Sequence, residues 1–368
     1  MPTASLGPRV SATLIVRDEA AVLADCLRSL LTVADEIVVV DTGSRDASRQ
    51  IAVAYGARVF DLPWQDDFAA ARNHALDQAT GDWALYIDAD ERVRGIDRSE
   101  LHARLDDPEL VACTVRFHPR TGFTAYPEHR LFRRDDRIRF AGAIHETMMP
   151  SINALVAAGA GRIGTSGLTI DHVGYDGDQS HKLDRNEPLL RKQIAADPRR
   201  TYLWWHLGTV ERDRGRLAAA EAAWTKGVAL VRAKAAPEPE DALCFIELAK
   251  LRLAGSTEAR TPSQQALDYI AESERTFPGN WLLHWLRGKA LVAIGNDAEA
   301  LSVFETLSHV DADTLVAPMA FDRRMFGTGA FAEMGHCAFR LRRFEDSARY
   351  YRLARPSGGA PSSLPGAT

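Results

Sequence analysis

Early in the chain, two short and almost wholly apolar runs each stop on carboxylates: Glu36-Ile-Val-Val-Val-Asp41 and Trp83-Ala-Leu-Tyr-Ile-Asp88-Ala-Asp90-Glu91. A strand with no polar alternation has to be covered on both faces, which is the condition of a parallel sheet with helices on either side. The intervening segments supply those helices. Ser11-Ala-Thr-Leu-Ile-Val16 is another such strand, and after Arg17-Asp18-Glu19 it is followed by Ala21, Val22, Leu23, Leu27, Leu30 and Leu31 at helical spacing. Thr42 to Asp46 provide turn and N-cap residues for a helix over 47–55, a strand is expected over 57–60, and a helix over 68–79 ends at Thr80-Gly81. The expected class is therefore α/β, with a Rossmann-like, mainly parallel sheet.

From about residue 110 the alternation changes, and short strands are expected over 111–117, 128–133, 138–140 and 168–172 without long helices between them. Beyond Lys182 the strand signals vanish and helices dominate, broken by Pro198, Pro237, Pro239, Pro262 and Pro278. This part carries a weak repeat: Gly208, Ala220 and Trp224 are matched in offset by Gly288, Ala300 and Phe304 and again by Gly335, Ser347 and Tyr351. Small residues at the first two positions let paired helices approach, and the aromatic is expected to fill the gap to the next unit. A fourth unit is expected around 241–272. Trp205-His-Leu207-Gly208 is similar to the opening of a tetratricopeptide repeat, so the domains are read as 11–190, an all-α tetratricopeptide-like region over 191–355, and a disordered polar tail over 356–368.

Composition narrows the function. Forty-five basic against 50 acidic residues leave a formal charge of −5, so no global positive field would attract a nucleic-acid backbone. Cys26, Cys113, Cys244 and Cys337 are far apart and are read as reduced, packed thiols. No apolar leader and no run long enough to span a bilayer occur, and a cytoplasmic location is the expectation. The first strand–helix turn lacks the G-x-G-x-x-G of dinucleotide folds, and neither a P-loop nor a G-x-S-x-G elbow is found.

What remains is acidic chemistry at strand ends, where ligands of doubly wound folds bind. Two carboxylates one residue apart, Asp88 and Asp90, suffice to hold a divalent cation and through it a diphosphate. Four segments then occur in order: Thr13-Leu-Ile-Val-Arg-Asp-Glu19, Glu36 to Asp46, Asp67-Phe-Ala-Ala-Ala-Arg-Asn73 and Gly81 to Glu91. Together they resemble the nucleotide-sugar domain of glycosyltransferase family 2, which has the GT-A fold. The similarity continues through Arg130-Leu-Phe-Arg133, Gly142-Ala-Ile-His-Glu146, Asp171-His-Val-Gly-Tyr175 and Arg185-Asn186.

The resemblance implies a metal-dependent, inverting transfer of a hexose or N-acetylhexosamine from a nucleoside-diphosphate sugar, with a UDP-sugar as the favoured donor, to an acceptor hydroxyl or thiol. Nucleotide-sugar contacts would come from Glu19, Asp41, Asp46, Arg72, Asn73 and Asp88. Asp90 and His172 would hold Mn²⁺ or Mg²⁺. Glu146 would be the general base, with Asp171 and Glu91 as rivals. The acceptor could be a saccharide, a lipid-linked glycan, a peptide or a small molecule, and the helical repeats would aid acceptor recognition or homo-oligomerisation. Peripheral membrane contact is compatible with this reading.

Trp83, Trp204, Trp205 and Trp224 are read as core residues, whereas Trp64 lies in a loop before a binding motif. His129, His181 and His206 show no partner in the sequence. Two alternatives compete: a sugar-nucleotide pyrophosphorylase, which would need a glycine-rich loop near the N-terminus, and a degenerate nucleotide-binding scaffold whose repeats recruit protein partners.

Overall fold

The structure, a computed structural model, describes residues 7–174, 180–255 and 260–355. The expected disordered tail, 356–368, and Tyr175 lie outside the described residues, as does the His181 side chain. Two compact units divide the chain. One takes the chain up to Thr121, Ala125–Val210 and Val316–Ala320; the other takes Gly122–Thr124, Glu211–Leu315 and the chain from Phe321 on.

The first unit opens as the apolar runs dictate: β1 (Val10–Val16), α1 (Ala20–Leu30), β2 (Glu36–Asp41), α2 (Ser48–Ala54), β3 (Arg58–Asp61), α3 (Phe68–Gln78) and β4 (Trp83–Tyr86). There follow β5 (Glu91–Arg94), α4 (Arg98–Leu105), β6 (Leu110–His118), β7 (Tyr126–Arg133), α5 (Met149–Ala157), β8 (Arg162–His172), α6 (Ser180–Ala196) and α7 (Thr201–Asp213), of which the part up to Val210 belongs to this unit. The described strands form one sheet in the order β3-β2-β1-β4-β7-β6-β8-β5. Its first half is parallel, with β1 between β2 and β4. β7 then joins β4 antiparallel, and the second half is mixed.

The core lies where α1 and the strands meet, on fully buried Leu14, Leu23, Leu27, Leu30, Trp83 and Leu85. Gly81 is required by close approach: a Cβ there would stand 2.8 Å from both the Arg9 carbonyl and the Ser11 hydroxyl. All four cysteines are free and buried, as expected; of the four tryptophans expected in the core, Trp83 and Trp224 are there, while Trp204 and Trp205 are only half-buried. Ile138 to Phe140, expected as a strand, is irregular. Its Phe140 backbone N–H and C=O bond instead to the Asn73 side-chain amide, at 2.9 Å each.

The second unit is helical: after the end of α7 come α8 (Leu217–Arg232), α9 (Ala242–Ala254), α10 (Arg260–Thr276), α11 (Trp281–Ile294), α12 (Asp297–Ser308), α13 (Thr328–Arg340) and α14 (Phe344–Leu353). The expected fourth repeat is α9 with α10. The repeat's aromatic, expected to fill the gap to the next unit, packs in two of the units against the small residue of its own pair. A Cβ on Gly288 of α11 would meet the Phe304 ring of α12 at 2.5 Å, and one on Gly335 of α13 would meet Tyr351 of α14 at 3.0 Å. Ser347 donates to the Gly335 carbonyl at 2.8 Å, which is why a small hydroxyl residue takes the place of alanine there. No described helix is long and apolar enough to cross a membrane.

Candidate active site

Parallel pairing places the carboxyl ends of β1, β2 and β4 along one edge of the sheet, with Val16 opposite Asp41. Beyond β4 the chain turns sharply through Asp88-Ala89-Asp90. The turn closes reciprocally: the Glu91 N–H donates to the Asp88 carbonyl at 3.1 Å, and the Asp88 N–H donates to Glu91 Oε2 at 2.9 Å. Glu91 is buried and takes both Nη atoms of Arg130, at 2.8 and 3.3 Å, and the Arg130 guanidinium lies 4.6 Å from the Tyr86 ring and 5.0 Å from the Phe117 ring. Burial pushes the Glu91 carboxyl up to about 7, against the opposing pull of Arg130. Glu91 thus supports the turn from beneath, through Arg130 and the Asp88 N–H. Beneath the same turn, the Cys26 thiol donates to the Asp88 carbonyl at 3.4 Å.

Arg72, on α3, bridges two candidates. Its Nη2 donates to Asp88 Oδ1 at 2.8 Å and its Nε to Glu146 Oε1 at 2.6 Å, with the guanidinium over the Tyr86 ring. For Asp88, burial alone would raise the carboxyl, but Arg72 and Arg130 outweigh it and hold the group below the ordinary carboxylate range. Arg72 is buried, while the Asp88 side chain is still 41% exposed and so can reach a ligand.

Asp90 and His172 meet because β5 pairs antiparallel with β8, Glu91 opposite His172. His172 Nε2 lies 3.0 Å from Asp90 Oδ2, and its Nδ1 bonds the Pro119 carbonyl at 2.8 Å. The hydrogen bond to Asp90 raises the imidazole to about 9, despite partial burial. Asp171, the other rival base, is gripped by Arg94 at 2.5 and 3.0 Å and by His118 at 2.7 Å. Its carboxylate is committed to those contacts.

A cavity of about 370 Å³ gathers Glu19, Arg72, Asp88, Asp90, Glu146 and His172. It does not gather the other three sequence-derived candidates. Asp41 Oδ1 accepts the N–H groups of Gly43 and Ser44, closing the strand-end turn. Asp46 accepts from the Ser48 N–H and hydroxyl and from the Ala20 N–H, tying the starts of α2 and α1 together. Asn73 tethers Phe140. Trp64 does line the cavity, held by its Nε1–H to Asp66 Oδ1 at 2.8 Å and edge-on to Phe68. Arg17, Arg185 and Asn186 are further lining residues, with the Arg185 guanidinium 5.2 Å above the Phe68 ring.

Asp18 performs a structural task. Its carboxylate accepts the Arg45 N–H at 2.6 Å and the Asp46 N–H at 3.3 Å, so it cross-links the turns after β1 and β2. Of the four non-glycine residues with positive φ among the described residues, His145 (+52°) lines the cavity and Asp18 (+56°) and Asp66 (+55°) lie one or two positions from lining residues, while Arg342 (+59°) is in the helical unit. Three of the four thus gather at the cavity, where such conformations commonly serve a site. This gathering is invisible in a residue pattern.

The pattern described as Glycosyl transferase family 2 matches residues 11–160. A TPR repeat-containing protein of Synechococcus elongatus is 35% identical over 307 residues, 80% of this chain and 75% of that protein. The glycosyltransferase SunS of Bacillus subtilis is 26% identical over 211 residues, 52% of this chain and 46% of its own length. Among solved structures, the mannosyltransferase PcManGT of Pyrobaculum calidifontis, in complex with GDP-Man and Mn²⁺, aligns with 75% of this chain and 89% of its own at 19% identity and a TM-score of 0.38. The chain belongs to glycosyltransferase family 2, an enzyme family of nucleotide-sugar transferases, and carries a helical, TPR-type region after its transferase domain.

Proposed function

We propose that the protein is a metal-dependent, inverting hexosyl- or N-acetylhexosaminyltransferase using a nucleoside-diphosphate sugar, with UDP-sugars as the favoured donors, and an acceptor hydroxyl or thiol. The observation that carries this reading is the joining of Asp88 and Glu146 through Arg72 in a cavity that also holds the Asp90–His172 pair. A donor binding Asp88 and an acceptor meeting Glu146 would share one fixed frame. The helical repeats of 191–355 would aid acceptor recognition or oligomerisation.

The residues fit a divalent cation. One carboxylate oxygen and one imidazole nitrogen face each other, and the Nδ1 bond to Pro119 orients the ring with Nε2 toward Asp90. Mn²⁺ accepts this mixed set, and two protein ligands suffice where diphosphate oxygens complete the shell. When bound, the cation supplies positive charge to the departing diphosphate.

The chain's own residues do the rest. Glu146 Oε1 is held by Arg72, leaving Oε2 to take the acceptor proton. The acceptor oxygen or sulfur then bonds to the anomeric carbon as the bond from that carbon to the diphosphate oxygen breaks on the opposite face. Asp88 would orient the sugar between them.

The test is a thermal-shift and calorimetry panel of UDP, GDP, dTDP and CDP, with and without Mn²⁺, on the wild type and on the Asp88→Ala/Asp90→Ala double variant. One nucleotide should stabilise the wild type only with metal, by about 2.7 kcal/mol at about 100-fold saturation, and should leave the variant unchanged. Absence of binding by every nucleotide under every metal condition overturns the reading.

A further inference from the structure

Glu146 is the neighbour of a residue in an uncommon conformation. His145 has φ +52°, a region that non-glycine residues seldom occupy without outside support. Support comes from the chain segment that opens α7, within the same compact unit. The His145 carbonyl accepts Arg200 Nη1 at 2.9 Å. The His145 ring lies flat on that of His206, with centroids 3.6 Å apart and 17° between planes. Tyr202 sets its ring nearly perpendicular to both, at 5.7 and 4.6 Å, and Trp205 stands against His206 from another side at 4.4 Å. One residue before Ile144, the Ala143 N–H is fixed by Gln193 Oε1 at 2.9 Å.

Two imidazoles face to face repel each other if both are protonated, and burial disfavours the charge on either. Burial brings His145 down to about 4 and His206 to about 2, with Arg200 pushing both in the same direction. The pair is therefore a neutral stack at physiological pH. Its immediate effect is on the next residue, because the direction in which Glu146 leaves the backbone is set by the His145 dihedrals.

We propose that Arg200, Tyr202 and His206 form a positioning device for the general base: by holding His145 in the left-handed conformation they set Glu146 against Arg72 with one carboxylate oxygen left for the acceptor. The device touches neither donor nor acceptor. The proposal rests on Glu146 being the base, and the test separates the two claims.

Release of nucleoside diphosphate from UDP-glucose, UDP-N-acetylglucosamine and GDP-mannose, with water as acceptor, is measured for the wild type, Glu146→Gln, His206→Ala and His206→Phe. Crystal structures of the two His206 variants accompany the kinetics. His206→Ala should lose at least about tenfold in kcat with the donor KM unchanged, since a misplacement of about 1 Å can cost about 100-fold. In its crystal structure His145 should leave positive φ and Glu146 should part from Arg72. His206→Phe retains a flat ring and should restore both kcat and the contact.

A His206→Ala enzyme with wild-type kcat, or one whose Glu146–Arg72 contact is intact in the crystal, overturns the positioning role. So does a His206→Phe variant as impaired as the alanine. A Glu146→Gln enzyme with undiminished kcat overturns instead the base on which the proposal rests. Should His206→Ala fail to fold, Arg200→Ala, which removes the hydrogen bond to the His145 carbonyl and leaves the stack, reads the same kcat and the same contact. If no donor is turned over by the wild type, the crystal structures alone decide whether the stack sets Glu146.

Discussion

Asp88 and Glu146 share a single guanidinium: Arg72 Nη2 reaches the first at 2.8 Å and its Nε the second at 2.6 Å, although the carboxylates lie on separate segments. A lysine could serve either acid but not both, because its point charge lacks the fork. Arg72→Lys should therefore keep the fold and lose much of the turnover, by roughly 10- to 100-fold. Arg72→Met strips the partly buried Glu146 carboxylate of its guanidinium and should also lower stability. Nucleoside-diphosphate release and urea unfolding of both variants check this, and a fully active Arg72→Lys enzyme would contradict the bridging role.

The pairing of Asp90 with His172 leads to a different expectation. Changing either residue removes one of the two donors a cation would use, while the Asp88–Arg72–Glu146 frame is untouched. His172→Ala should reduce the Mn²⁺ dependence of nucleotide binding and leave the residual metal-free affinity near that of the wild type. Calorimetry against UDP and GDP with and without Mn²⁺ measures both terms. Metal-dependent binding of unchanged strength in His172→Ala would move the cation elsewhere.

The parallel half of the sheet was legible because its strands are continuous apolar runs bounded by turn residues, and β2 begins and ends where its charged residues stand. β5 was not legible. Its sequence, Glu-Arg-Val-Arg, carries three charges in four residues, and it is a strand only because β8 pairs with it and Val93 finds the core. That unseen pairing is what brings Asp90 to His172, so both residues could be nominated from the sequence but not their contact. The short helices α4 and α5, interleaved with the second half of the strands, also escaped notice. Glu146 was nominated by resemblance, yet its restraint was hidden: His206 lies far along the chain from His145, and nothing in a residue pattern announces a left-handed dihedral.

The histidine stack also sets a pH dependence. An unfolded chain protonates both imidazoles near their ordinary 6.5, whereas the folded protein resists until about pH 4 at His145 and about pH 2 at His206. Below 6.5 the unfolded state therefore binds more protons, and stability falls as pH falls. Glu91 works in the opposite direction, since its folded value near 7 lies above the unfolded one and its contribution grows on acidification. The clean readout is a difference. His206→Phe removes one of the two half-buried imidazoles, so between pH 6.5 and 5 its stability should fall less steeply than that of the wild type, by up to about 1.4 kcal/mol per pH unit. Urea midpoints at successive pH values measure it, and parallel pH profiles would mean that His206 titrates normally in the folded protein.

In the helical unit the sequence repeat becomes a statement about one contact. Gly288 lies in the middle of α11, where alanine would ordinarily be favoured over glycine by about 1 kcal/mol. Yet the added Cβ would stand 2.5 Å from the Phe304 ring, which is fully buried and has no free direction in which to yield. Overpacking of this kind costs about 1–3 kcal/mol, so the clash should outweigh the helical gain and Gly288→Ala should be net destabilising. Shortening the aromatic reverses the balance. Phe304→Leu alone opens a cavity and destabilises, but in combination with Gly288→Ala the new methyl group occupies part of that space while the helical preference is retained. The double variant should therefore be more stable than the sum of its single changes, with a coupling of about 0.5–3 kcal/mol as expected for residues in direct contact. Urea denaturation of the four proteins closes the cycle; additive effects would show that the glycine is kept for some reason other than the ring packed against it.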